Sequence, residues 1–327
     1  MELKGLSGLA NLGNSCYLNS TMQILNQVVE LNEYLEKTQE LNSIADSHLT
    51  TEWNMLQSLM WKRNVIISPN RFVHQIRRLS RLKGRDEFSG MNQNDANDYF
   101  YFTIECIHNS LNKKDPSQLY YKISNQHINH YLSNLEITDQ SIVSKLFTSC
   151  FVYSYINYET HKIESQKIEH GFTIELSIPN INKNITLYNC FEETFKDEEL
   201  SGDNAWQDDT DKTKKHVIKT TRLGYLPPIL SIHLKRWNHN LNKNNKFIDI
   251  PLLLDLRPLM ILQYQEGTEY QLFGIINHSG NISGGHYTSY IRRNDRWFLM
   301  DDTQVTEVNE NEIINPRNYC LFYRKIK

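Results

Sequence analysis

Two textures follow one another along this chain, and their order limits the fold more than any single residue does. Before about residue 112, apolar side chains recur at helical spacing: Leu18, Met22, Leu25 and Val29 in one stretch, Ala96, Tyr99, Phe100, Ile104, Ile107 and Leu111 in another. That spacing gathers them on one face of a helix, so two amphipathic helices are expected there. From about Leu119 the pattern changes to β-branched and aromatic runs, such as Phe151-Val152-Tyr153 and Phe172-Thr173-Ile174-Glu175-Leu176. After Pro227-Pro228 the sequence predicts strands over Ile229–Leu234, Leu272–Asn277, His286–Ile291, Trp297–Met300 and Tyr319–Arg324. A polar stretch from Asp197 to Lys215 reads as a long turn or mobile fingertip. Helices first and antiparallel strands afterwards give an α+β architecture rather than βαβ alternation. A helical lobe set against a sheet lobe would leave a cleft, the default place for chemistry.

Charge and cysteine usage narrow the setting. The chain has 327 residues, with 35 Lys and Arg against 38 Asp and Glu, so no strong field draws it to nucleic acid or to an anionic membrane. Its five cysteines, Cys16, Cys106, Cys150, Cys190 and Cys320, are scattered without a CxxC pair, which argues against a disulfide framework or a Cys-rich zinc site. The opening Met1-Glu2-Leu3-Lys4-Gly5 lacks a signal-peptide pattern, and no stretch reaches the roughly 18 apolar residues of a membrane span. A cytoplasmic location is expected, with nuclear access left open.

Three places carry residues suited to chemistry. In Gly13-Asn14-Ser15-Cys16-Tyr17-Leu18-Asn19-Ser20, a turn and cap signal precedes a helical pattern, placing Cys16 at a helix N-terminus. Free N–H groups and the helix dipole would stabilise a thiolate there. In Ser283-Gly284-Gly285-His286-Tyr287-Thr288, a histidine follows two glycines at the start of a strand, where a large ligand could pass close to an imidazole able to serve as base and then acid. Asp301 and Asp302 end the apolar run Trp297-Phe298-Leu299-Met300, and one could fix the tautomer of His286, unless they merely close a turn. Asn11, five residues before Cys16, could donate to an oxyanion or simply shape its own turn.

Taken in order, these segments resemble the ubiquitin-specific proteases, papain-like cysteine deubiquitinases. Gly8-Leu9-Ala10-Asn11-Leu12-Gly13-Asn14-Ser15-Cys16-Tyr17-Leu18-Asn19-Ser20 is similar to the family's cysteine box. Asn277-His278-Ser279-Gly280, Gly284-Gly285-His286-Tyr287-Thr288-Ser289-Tyr290, Trp297 and Asp301-Asp302 are similar to its histidine box. Asn92-Gln93-Asn94-Asp95-Ala96-Asn97-Asp98-Tyr99-Phe100 resembles the acidic motif between them, with Asn94 and Asp98 in place of the usual Gln and Glu. Leu226-Pro227-Pro228 through Trp237 and the closing Tyr319-Cys320-Leu321-Phe322-Tyr323 extend the likeness over essentially the whole chain.

The resemblance implies a hand of three subdomains in one catalytic domain spanning 1–327: a helical thumb over about 1–117, mainly fingers over 118–225 and mainly palm over 226–327. It implies Cys16 as nucleophile, His286 as base and acid, Asp301 as its orienting residue, Asn11 at the oxyanion hole and Asp302 as an accessory. Asp95 and Asp98 would receive ubiquitin's arginine-containing tail, with Tyr287 also on the substrate side. Many members hold zinc in the fingers between two CxxC pairs. Here the corresponding stretches, Asn157-Tyr158-Glu159-Thr160 and Asp208-Asp209-Thr210-Asp211, contain no cysteine. No metal and no cofactor are therefore expected, and packing must hold the fingertip unless it is mobile. Ubiquitin and ubiquitinated proteins are the expected partners, with an activating partner left open. No appended adaptor domain is expected either, so any selectivity would come from elsewhere. Two alternatives stand beside this one: a catalytically weak ubiquitin-binding module, and a protease for another ubiquitin-like modifier.

Overall fold

The computed structural model describes residues 3–38, 40–113, 126–181, 184–208, 212–261, 267–281 and 284–326. Leu119, Asp209, Thr210, Asp211 and Ser283 lie outside the described residues, as does the expected subdomain boundary near residue 117.

The helical part opens with a short strand, β1 (Gly8–Leu9), followed by α1 (Cys16–Asn26), α2 (Val29–Lys37) and α3 (Asp46–Lys62). β2 (Ile66–Ile67), parallel to β1, leads into α4 (Asn70–Leu82) and α5 (Ala96–Leu111). The two expected helices are α1, which ends before Val29, and α5. Two more, α3 and α4, obey the same rule: Leu49, Trp53, Leu56 and Met60, and then Phe72, Val73, Ile76 and Leu79, are buried at helical spacing.

The middle of the chain is less purely β than its texture suggests. α6 (Gln126–Thr138) and α7 (Ile142–Phe147) come first, then β3 (Ser149–Asn157), β4 (Ile163–Gly171), β5 (Ile174–Ser177), β6 (Ile185–Thr186) and α8 (Leu187–Thr194). β7 (Glu198–Leu200), β8 (Trp206–Gln207), β9 (Lys214–Lys215) and β10 (Val217–Tyr225) complete it. Ser141 starts α7 by accepting from the N–H groups of Val143 and Ser144, while Ile128 and Leu132 of α6 cluster with Cys150 and Val152 of β3. β4, β3, β10 and β7 form an antiparallel sheet in that order.

Its tip is folded rather than one long turn. β8 and β9 pair, Trp206 stacks on Tyr155 at 5.0 Å, and Tyr158 stacks on His216 at 4.1 Å. The Lys215 ammonium lies 2.9 Å from Asp208 and 3.0 Å from Glu164, whose other oxygen accepts from the Asn157 amide at 2.9 Å. Aromatic stacking and one ammonium thus join the starts of the two stretches that would correspond to zinc-binding pairs.

The last third builds the large sheet. Its elements are β11 (Ile229–Lys235), β12 (Ile248–Asp249), β13 (Leu253–Asp255), β14 (Glu269–Asn281), β15 (Gly284–Arg293), β16 (Arg296–Asp301), β17 (Gln304–Val308) and β18 (Asn318–Lys325). All five predicted strands fall within them. The order is β17-β16-β15-β14-β18-β11-β5, with β13 also on β14, and every pairing is antiparallel except β11 with β5. β12 instead pairs in parallel with β6.

α1 lies across β14 and β15 and is buried along its whole length. Gly274 permits this approach, because a Cβ there would stand 2.7 Å from Ile24 Cδ1. One apolar core fills the space between helices and sheet, with Leu25, Trp53, Phe100, Ile276 and Phe322 among its members. A second covers the opposite face around Ile232, Leu272, Tyr290, Trp297 and Tyr323. Among the described residues no helix is long and apolar enough to cross a membrane.

Candidate active site

The expected turn before Cys16 is present: Gly13 and Asn14 take φ values of 89° and 51°. Ser15 stands at the N-cap position, yet its side chain makes no cap bond. Its Oγ instead accepts from the Leu12 N–H at 2.8 Å and donates to Asn11 Oδ1 at 3.3 Å. The first-turn N–H groups of α1 are left without a side-chain cap as a result. Burial nevertheless pushes the Cys16 thiol above its ordinary value, and the Asp302 charge adds to the rise; backbone hydrogen bonds from Tyr287, Tyr17 and Cys16 itself only partly offset it. This differs from the thiolate expected at a helix N-terminus. Cys16 is only 2% exposed, and at that depth desolvation outweighs the helix end.

His286 is the third residue of β15, and Asp301 ends the neighbouring β16. Their adjacency in the sheet brings His286 Nε2 to 2.7 Å from Asp301 Oδ1. Nδ1 is the ring nitrogen left over, but among the described residues no hydrogen bond joins the Cys16 thiol to the imidazole.

Asp302 has a φ of 50°, and its carboxylate is turned onto two amides. Asn11 Nδ2 donates to Oδ2 at 2.8 Å and Asn19 Nδ2 to Oδ1 at 2.7 Å. The Leu9 N–H also donates to the Asp302 carbonyl at 2.7 Å. Gly8 makes this approach possible, since a Cβ there would lie 2.4 Å from the Thr303 carbonyl oxygen. Asn11 Oδ1 closes the turn by accepting from the N–H groups of Gly13 and Ser15 at 3.1 Å, while its amide nitrogen, the expected oxyanion donor, faces Asp302. His286, Asp301 and Asp302 each bring a ligand-type atom within 4.8 Å of the others. Both Asp302 oxygens are already engaged by amide donors, which favours a positioning carboxylate over a metal ligand.

The expected substrate contacts divide. Asp95 caps α5 by accepting from the N–H groups of Asn97 and Asp98, and its other oxygen accepts from the Tyr319 hydroxyl. Its carboxylate is therefore committed within the fold. Tyr287 turns its ring inward against His278 and Tyr319, leaving only its backbone toward Cys16. Asp98 lines a cavity of about 300 Å³ with Arg85, Tyr101, Phe172 and Glu175. Burial raises the Asp98 carboxyl above its usual range, helped by nearby Asp95. His233 and Lys235, 3.8 and 3.2 Å from its carboxylate, hold Glu175 down at about 2.

Three residues beside the site carried no assigned role at the sequence level. Asn19 had a visible signal, a polar residue one helical turn after Cys16 on a helix buried all round. Gln93 lies within the acidic motif, and Tyr319 meets Asp95 across 224 positions, a pairing no local pattern shows.

The family model for ubiquitin carboxyl-terminal hydrolases matches residues 7–323, and the chain belongs to that family. Ubiquitin carboxyl-terminal hydrolase 4 of Vanderwaltozyma polyspora is 28% identical over 374 residues, spanning 100% of this chain and 42% of the relative. Ubiquitin carboxyl-terminal hydrolase 2 of Homo sapiens is 28% identical over 342 residues, spanning 98% of this chain and 55% of the relative. The chain thus spans about half the length of these curated relatives. The solved SAGA DUB module of Ubp8, Sgf11, Sus1 and Sgf73 bound to monoubiquitin superposes with a TM-score of 0.77 at 20% identity, over 99% of this chain and 70% of that one.

Proposed function

We propose that this chain is a deubiquitinase that hydrolyses the bond after ubiquitin's C-terminal glycine, with Cys16 as nucleophile. The observation that carries this reading is the convergence, beside the N-terminus of α1, of the 2.7 Å His286–Asp301 pair and the Asn11–Asp302 pair.

In this mechanism the Cys16 proton passes to His286 Nδ1 while sulfur bonds to the carbonyl carbon. Asn11 and backbone N–H groups hold the resulting oxyanion. Collapse breaks the carbon–nitrogen bond, and His286 returns its proton to the leaving lysine or α-amine. Water, deprotonated by His286, then cleaves the thioester to release ubiquitin's carboxylate and restore the thiol. Asp301 keeps the ring oriented. Asp98 and Glu175 would take the tail's guanidinium in their shared cavity, a match of carboxylate to arginine. All five cysteines are unpaired, in keeping with a reducing compartment.

A second reading is a weakly active or silent ubiquitin-binding module. The raised Cys16 thiol and its missing bond to His286 favour it.

Incubation with ubiquitin bearing a C-terminal electrophile separates the two by intact mass, beside a Cys16→Ala control. A single adduct that requires Cys16 supports the enzyme. Ubiquitin binding without an adduct supports the module, and neither binding nor adduct points to another modifier.

A further inference from the structure

β16 pairs with β15 only from Ser289 to Arg293, so among the described residues no strand lies beside the edge of β15 from Gly285 to Tyr287 that faces away from β14. Backbone groups of alternate residues face the same side of a strand, which puts those of Gly285 and Tyr287 together on this edge. The backbone of Tyr287 lies beside the Cys16 thiol. An extended peptide whose last carbonyl reaches Cys16 would add here as a strand, and Gly285 would offer it one donor and one acceptor.

Both are taken. The Gln93 side chain donates from Nε2 to the Gly285 carbonyl at 2.5 Å and accepts the Gly285 N–H on Oε1 at 2.6 Å. An amide side chain bonded through both its ends has the donor and acceptor pattern of a peptide unit. It bridges 192 positions, from the loop before α5 to the residue before His286. Gly285 lies close against His278, where a Cβ would stand 2.3 Å from Nε2. Asn94, the next residue, is tied down by the hydrogen bond its side-chain amide donates to the Tyr17 hydroxyl at 3.2 Å, so the loop's freedom lies in the exposed Gln93 side chain.

We propose that Gln93 is a latch: its amide fills the place of a peptide unit on the open edge of β15, and the diglycine tail must displace it to reach Cys16. The role of the tail rests on the deubiquitinase reading; the closure over Cys16 does not.

The test compares the full chain with Gln93→Ala and Gln93→Glu. The second keeps the size of the side chain but sets a carboxylate oxygen against the Gly285 carbonyl. Two rates are measured: alkylation of Cys16 by iodoacetamide, located by peptide mass, and turnover of ubiquitin carrying a C-terminal fluorogenic amide. Both variants are expected to alkylate roughly three- to tenfold faster and to lower KM by a similar factor with kcat little changed, the scale of one or two modest hydrogen bonds. Unchanged or slower alkylation in both variants overturns the latch. A raised KM overturns it even beside faster alkylation, because the amide would then be holding the tail. If the unaltered chain fails to turn over ubiquitin, the function reading falls while alkylation still decides whether Gln93 closes the cleft. Equal melting temperatures for all three proteins would exclude a general loss of fold as the cause of either change.

Discussion

His278 illustrates how far one residue's surroundings can move its chemistry. Its ring packs against Tyr287 at 4.6 Å and Trp237 at 5.8 Å, and among the described residues its buried Nδ1 has no hydrogen-bond partner. Burial, then the nearby Lys243 charge, brings its pKa down to about 4. The folded value lies below the unfolded one, so the unfolded chain binds the extra proton first. The neutral ring's contribution is complete above pH 6.5 and is lost as pH falls to 4, up to about 3 kcal/mol in all. Because Gly285 rests against this ring, activity should decline over the same window. Imidazole proton shifts would check it: a His278 resonance titrating near 4 is expected, and one near 6.5 would show the ring to be solvated. The sequence shows His278 inside a motif but not its isolation, which comes from aromatic partners as far away as Trp237 and Tyr319.

Among the elements, the turn joining β16 to β17 has the widest reach, since through Asp302 it holds both Asn11 and Asn19. Asp302→Ala should lower kcat roughly 10- to 100-fold with little change in KM, the usual scale for losing a group that orients others. Removing its negative charge should also lower the pH at which Cys16 alkylates, because Asp302 now helps to raise that thiol. A kcat within twofold of the parent, or an unmoved alkylation profile, would falsify this role. Elements were legible where burial leaves a period: α1, α5 and the five strands of the large sheet all do so. The periods of α3 and α4 are equally regular but carry no chemistry to draw the eye. α6 buries few apolar side chains, Ile128 and Leu132 among them, so its pattern is faint against a β-rich neighbourhood. The fingertip's order depends on contacts between strands, such as Trp206 on Tyr155, which a run of polar residues does not disclose.

For the molecule as a whole, a single sheet carries an apolar core on each face, so neither core can melt without exposing strands that the other needs. Phe322 is buried in the core shared by helices and sheet, with its ring 5.2 Å from that of Phe100 on α5. Phe322→Ala should cost about 3–5 kcal/mol. Helical circular dichroism and tryptophan fluorescence should still be lost together in one transition; two separated transitions would mean the lobes unfold independently. The tie between Asn19 and Asp302 spans 283 positions, and it has a consequence for synthesis. At roughly 5–20 residues per second, a ribosome makes Asn19 some 15–55 seconds before Asp302. Until His286 follows, 16 positions before Asp302, the nascent chain carries the proposed nucleophile with neither its proposed base nor the anchor for Asn11. Under the proposed function, a message cut short upstream of His286 would therefore yield a chain unable to cleave ubiquitin from neighbouring proteins.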